Sequence, residues 1–326
     1  MHAYCFANIE RIILIFVCKL PKNIVKMKKI LLASTLLISN LLFAQIKIKN
    51  TVDFTPEHEF TTNCEGPSVG ADGVVYAVNY QKDGTIAQIT KDGKVSLFIT
   101  LPKGSTGNGI RFGDKNTFYV ADFTGHNILK VNTLTKNITT YTHNDQMNQP
   151  NDLCITKSGH IFCSDPNWKT SAGQVWHIFP DGKSEKIADN MGTTNGIEVS
   201  PDEKTLYVNE SVQRNVWAFE LSKNGQIANK KLLIRFDDGG MDGMRCDKKG
   251  NLYITRWGKG EVVVVSPKGN VIQTIKTIGK NVSNICFGGD KGKTCYVTLQ
   301  DRGCLETFEA DFAGREWVMM QKMMKK

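Results

Sequence analysis

Six oxygen-bearing side chains recur along the chain at nearly constant spacing. They are Glu65, Asn108, Asn151, Asn195, Asp242 and Asn284, separated by 43, 43, 44, 47 and 42 residues. Four of them, Glu65, Asn151, Asn195 and Asp242, supply two carboxylates and two amide carbonyls. That set carries two negative charges, which one divalent cation balances. Hard oxygen donors without sulfur or imidazole favour Ca²⁺, Mg²⁺ or Mn²⁺ over Zn²⁺. Ca²⁺ is the expected ion, with Zn²⁺, Mg²⁺ and Mn²⁺ as alternatives. Four protein ligands leave open positions on such an ion for water and a substrate carbonyl, which is what Lewis-acid hydrolysis requires. Asn and Asp also open turns for local backbone reasons, but Glu65 has no such preference and keeps the same phase.

The residues after each marker reveal the elements that position it. After Asn195 come a short apolar run, the polar turn Ser200 to Lys204, and Leu206-Tyr207-Val208, a run rich in strand formers. The other five markers have counterparts, as in Asp242-Gly243-Met244-Arg245-Cys246 and Asn151-Asp152-Leu153-Cys154-Ile155. Two more strands complete each repeat, joined by turns such as Lys91-Asp92-Gly93-Lys94 and Pro180-Asp181-Gly182-Lys183. Six units slightly over 40 residues long predict an all-β fold, a six-bladed β-propeller with four-stranded antiparallel blades. In such a ring the six markers converge on one mouth of the central channel. Residues 46–62, with Ile46-Lys47-Ile48-Lys49 and Val52-Asp53-Phe54, are expected to complete the last blade and so close the ring.

The amino terminus reads as an export signal. Met27-Lys28-Lys29 is a charged start, Ile30 to Phe43 is mostly apolar, and cleavage is expected after Ala44. Residues 1–26 fit no signal architecture and read as a spurious extension ahead of a start at Met27. The expectation is a 27–44 signal peptide, one domain over 45–326, no stable membrane anchor, and a periplasmic or secreted product. The formal net charge of +9 is concentrated in that region, since residues 1–44 hold six Lys or Arg against one acidic residue. What remains is too weak and scattered to suggest a nucleic-acid partner. The Met-rich tail from Met319 reads as a frayed end.

Seven cysteines lie beyond the cleavage point. Cys154 and Cys163 flank one hairpin turn and Cys286 and Cys295 another, so either pair could face across a ladder; the alternative is a set of small buried strand residues. No CxxC occurs, which argues against structural zinc. His126, His143 and His177 share no metal spacing. Trp168, Trp257 and Asp165 are candidates for the mouth, and Asn108 and Asn284 for substrate contact or turns.

The sequence resembles the gluconolactonase/regucalcin (senescence marker protein) family of six-bladed propellers over nearly all of residues 60–310. The resemblance rests on Glu65-Gly66-Pro67, Pro150-Asn151-Asp152, Asn195-Gly196-Ile197 with Ser200-Pro201-Asp202, Asp242-Gly243-Met244, Trp257-Gly258, and Asn284 to Gly289. It implies that Glu65, Asn151, Asn195 and Asp242 bind the metal and that the substrate is a small sugar-acid lactone. Asp242 then serves also as the base that takes a proton from the attacking water. Two positions depart from the family pattern: Ser68-Val69 replaces an aromatic residue after Glu-Gly-Pro, and Gln149 replaces an Arg ahead of Asn151. Asn108, Gln149 and Trp257 are the expected substrate contacts. A related metal-dependent esterase or phosphotriesterase, or a non-catalytic extracellular binding propeller, is the alternative reading.

Overall fold

Short apolar runs broken by Gly- and Asn-containing turns give small sheets with two apolar faces, and each face must be covered. In the computed structural model, which describes residues 46–324, these runs form six antiparallel sheets of four strands, one per repeat. The first blade is built from Phe60–Val69, Val75–Tyr80, Thr85–Ile89 and Val95–Thr100. The others span 107–143, 153–191, 194–235, 244–276 and 282–309. The hairpin read around Ser200 pairs Thr194–Val199 with Thr205–Glu210.

Innermost strands neighbour one another in sequence order, and the sixth, Val282–Gly288, lies against the first. The ring is closed, as the repeat count implied. A separate apolar cluster fills each of its six junctions. Between the first two blades, for example, Val78 and Ile86 pack with Phe112 and Phe118, and the Tyr76 and Phe118 rings lie 5.4 Å apart. Each fully buried side chain of this kind contributes about 1.5–3 kcal/mol, so stability is distributed around the ring rather than held at one core.

Closure differs in detail from the expectation. Val52–Asp53 does pair antiparallel with Cys304–Glu309 and completes the sixth blade. Lys47–Asn50, however, runs parallel to Val271–Lys276 and adds a fifth strand to the neighbouring blade. The amino-terminal segment thus ties two blades together. An ion-pair cluster secures it, with Arg302 bridging Asp53 at 2.7 Å and Glu306 at 2.6 Å.

The carboxyl-terminal tail is not frayed. Arg315–Met324 forms a helix, α1, with Arg315, Met319 and Met320 buried. Its ten residues are too few to show a clear helical period in sequence, and its stability comes from docking rather than propensity. The expectations for residues 1–26, for the 27–44 signal and for cleavage after Ala44 lie outside the described residues. Among the described residues, no helix is long and apolar enough to cross a membrane.

The hairpin cysteines do not face each other. Cys154 pairs with Phe162 and Leu153 with Cys163; Cys286 pairs with Tyr296 and Phe287 with Cys295. A one-residue offset sends the two thiols to opposite faces of the sheet, and each enters a different interblade cluster. All seven described cysteines are free and buried. Burial raises the thiol pKa throughout, which makes them inert. We expect residues 45–326 to show essentially no thiol reactive toward a disulfide reagent when native and seven in guanidinium, with a melting temperature unchanged by reductant.

Candidate functional site

The markers open the innermost strands. Glu65, Asn108, Asn195 and Asn284 lie within strands, while Asn151 and Asp242 precede theirs by two residues. Asn108 and Asn284 are therefore strand residues, not turn formers. Four markers are followed by glycine, and the reason is the crowding of backbones about the axis. At Gly66, which has φ +55°, a Cβ would sit 1.9 Å from the carbonyl oxygen of Asn108 in the next blade. At Gly196 it would meet the Asp242 carbonyl at 2.5 Å. Close approach at both positions, and the left-handed conformation at Gly66, exclude a side chain there.

Hydrogen bonds then orient each marker. Oε2 of Glu65 accepts from the Gly66 amide at 2.6 Å and from Asn284 Nδ2 at 2.8 Å. Asn195 Nδ2 donates to Ser211 Oγ at 3.1 Å, and that hydroxyl donates in turn to the Met241 carbonyl. With the amide nitrogen bonded to Ser211, Asn195 Oδ1 is left without a partner. Asn108 Nδ2 donates to the Asn151 carbonyl at 3.1 Å, and Asn209 Nδ2 to the Asp242 carbonyl at 2.6 Å.

Five of the six markers form the floor of a cavity of about 520 Å³ at one mouth of the channel; Asn284, expected as a possible substrate contact, is not a lining residue and instead holds Glu65. Glu65, Asn108, Asn151, Asn195 and Asp242 line it, as do Trp168 and Trp257. Gln149 does not; its backbone N–H donates to Asp165 at 2.6 Å. Asp165 is fully buried and also outside the cavity, bound by Gln174 and by Trp176 Nε1 at 2.8 Å. His177 is a packing residue, stacked on Phe162 and hydrogen-bonded to His160.

The donor set fits a divalent cation on two counts. The side-chain oxygens of Asn151 and Asn195 are buried and have no hydrogen-bond partner, a cost of about 1–3 kcal/mol each if nothing meets them. Beside them at the same floor stand the carboxyls of Glu65 and Asp242, each buried and each acting on the other's charge. Burial, then the negative charge of Asp152, pushes Glu65 up to about 7. Burial, then the charge of Glu65, drives Asp242 well above the usual carboxylate range. A different acidic cluster, Asp53, Cys304 and Glu306, already has its two carboxylates paired with Arg302.

Sequence reasoning missed the layer beneath. Asp152 is fully buried, with Arg111 Nη2 at 2.5 Å from one carboxylate oxygen and Arg245 Nη1 at 3.1 Å from the other. Below it, α1 inserts Arg315 toward Glu198 at 3.5 Å and onto the Ile155 carbonyl at 2.8 Å. A signal was present: Arg111, Glu198 and Arg245 each stand three residues after a marker, as charges inside otherwise buried strands.

The family model described as SMP-30/Gluconolactonase/LRE-like region matches residues 64–301. A gluconolactonase of Zymomonas mobilis is 30% identical over 245 residues, covering 64% of this chain and 68% of that one. Bovine regucalcin is 28% identical over 179 residues, covering 50% of this chain and 60% of its own. Among solved structures, a calcium-binding regucalcin of Agrobacterium tumefaciens has a TM-score of 0.71 at 20% identity, covering 83% of this chain and 97% of that chain. A Xanthomonas campestris gluconolactonase gives 0.68 at 21%, covering 79% and 89%. At these identities the structural likeness bears on the fold.

The buried charges have two measurable consequences. Asp152→Asn leaves two buried guanidinium groups without a countercharge and is expected to cost about 3–5 kcal/mol in urea unfolding. A carboxyl raised on folding makes the native state hold the extra proton, so chelated protein should lose stability as pH rises from about 4.5 through about 7. Thermal melts with chelator at pH 5 and pH 8 should show a drop that Glu65→Gln reduces and that Ca²⁺ reverses.

Proposed function

Because the chain belongs to the SMP-30/gluconolactonase/LRE-like family, we propose that it is a metal-dependent lactonase acting at the marker-floored mouth. The observation that carries this reading is the pair of unpartnered amide oxygens, Asn151 Oδ1 and Asn195 Oδ1, beside two carboxylates at a cavity floor. Glu65, Asn151, Asn195 and Asp242 would hold one divalent cation, with Ca²⁺ first in order. Bound there, it supplies a Lewis acid that draws charge from a lactone carbonyl.

The protein's own groups divide the remaining work. Glu65 is 3% exposed and its Oε2 already accepts two hydrogen bonds, so it contributes fixed charge. Asp242 is the floor carboxylate that keeps part of its surface open to the cavity. Its carboxylate takes a proton from water as the water oxygen bonds to the carbonyl carbon. The ring C–O bond then breaks, the ring oxygen receives that proton, and the product is an open hydroxy acid. The acid ionises and releases one proton to solution. Ser211 and Asn284 keep Asn195 and Glu65 in register while this happens, so the floor needs no rearrangement. With residues 27–44 read as an export signal, the reaction belongs to the periplasm or the exterior.

A pH-stat assay on aldonolactones tests the proposal. Acid release should cease with chelator and return with Ca²⁺ or another of the divalent ions. Asp242→Asn should lower kcat/KM by at least about 10²-fold. Metal content of each variant, measured in parallel, separates loss of the ion from loss of the base. Bound metal with no lactone turnover by the unaltered protein would defeat this reading.

A further inference from the structure

The walls of the cavity differ from its floor and are built by a different part of each blade. The loop between the second and third strands overhangs the mouth and contributes a lining side chain in five blades, beside Ser211 in the fourth. These are Phe123, Trp168, Val212, Trp257 and Gln300, in blade order from the second to the sixth. Four consecutive blades therefore present an apolar group, and the amides of Gln300 and Asn63 face them from the sixth and first.

Three of these groups leave apolar surface in water. Trp168 and Trp257 are each 42% exposed and Val212 is 53% exposed. Trp257 is held in one orientation, because its Nε1 donates to Gln300 Oε1 at 3.0 Å across the blade junction. A fixed indole face on a cavity rim is a stacking platform for an aromatic ring or the C–H face of a sugar.

Charge on the walls is as one-sided. Among the described lining residues the ionisable groups are Glu65 and Asp242, both on the floor, and no Lys, Arg or His is present. The cations flanking Trp257 in the chain, Arg256 and Lys259, are engaged elsewhere. Asp238 holds Lys259 at 2.6 Å and Arg256 at 3.1 Å, and the Arg256 guanidinium lies on the Phe236 ring. An anionic substituent would find no cationic side chain on the walls to pair with. The cavity volume is that of sites for ligands larger than one small ring.

We propose that this mouth selects an uncharged lactone bearing an apolar substituent remote from the carbonyl, with Trp168, Val212 and Trp257 as the residues that determine that specificity. The proposal rests on the lactonase reading for the reaction, though not for the binding preference.

The test compares three substrates of the metal-replete protein: an unsubstituted aldonolactone, the same lactone O-benzylated at the carbon farthest from the carbonyl, and the same lactone phosphorylated there. The benzyl lactone is expected to exceed the unsubstituted one at least tenfold in kcat/KM, chiefly through KM, and the phosphorylated one to fall at least tenfold below it. Trp168→Ala and Trp257→Ala should each shrink the benzyl advantage, and Val212→Arg should raise the phosphorylated substrate relative to the benzyl one. Equal or better turnover of the phosphorylated lactone, or a benzyl preference untouched by both alanine variants, overturns the proposal. If no lactone is turned over, the lactonase reading fails and the preference is read instead from tryptophan fluorescence with the corresponding lactams. Tighter binding of the benzyl lactam than the phosphorylated one then sustains the proposal, and equal or absent binding overturns it.

Discussion

Charge buried on the axis of a closed ring has to be balanced inside the protein, because water cannot reach it in quantity. The channel of this propeller is arranged around that constraint. Asp152 sits between Arg111 and Arg245, and Glu198 lies opposite Arg315. The Glu198 carboxyl is still raised by burial, with the three guanidinium groups working against the shift. These layers pair opposite charges within hydrogen-bonding reach, which is the condition under which buried ions are tolerated. Among the described residues of these layers, it is the uppermost, Glu65 beside Asp242, that lacks a protein countercharge, and there two amide oxygens also go unpartnered. The imbalance falls at the end of the channel that opens to a cavity.

Docking of α1 belongs to the same balance. Without Arg315 the Glu198 carboxylate would be buried with its strongest partner gone, and the far end of the channel would be open. Met320 meanwhile joins the cluster between the first two blades, so the helix is held by packing as well as by charge. The tail's sequence signal is compositional: Met and Lys in a terminal decapeptide look like a frayed end when the surface they cover is unknown. Helices this short take their stability from tertiary contact, and that contact is invisible from sequence.

Legibility elsewhere tracks the period of the element concerned. The blade count could be read because one hairpin recurs six times, and the floor could be read because its residues share a phase within that repeat. Cysteine pairing was not legible. Whether Cys154 opposes Cys163 or Phe162 depends on a single residue of register, which a hairpin turn of uncertain length leaves open. The glycines after the markers carried a real signal that turn chemistry only partly explains: at Gly66 and Gly196 what matters is the neighbouring blade's backbone. Arg111, Glu198 and Arg245 were missed because a charge inside an apolar strand reads as noise until its offset from the marker is compared between repeats.

The cavity walls show why a propeller can keep a reaction and change its substrate. Floor residues lie on innermost strands, whose backbones are locked to both neighbours through contacts such as Gly109 N to Asn151 O at 2.8 Å and Gly243 N to Ser283 O at 2.7 Å. A change there disturbs the ring. Wall residues lie on hairpin loops that touch few other groups, so Trp168 or Val212 can be exchanged at small cost to the fold. The two departures from the family pattern behave accordingly. Gln149 is tied to Asp165 through its backbone N–H and is not a lining residue of the cavity, while Ser68 is buried on a strand. Neither supplies a charge to the mouth. Under the specificity proposed above, selectivity passes to the loops, whose apolar and amide side chains would discriminate by shape, stacking and the absence of a cation rather than by ion pairing.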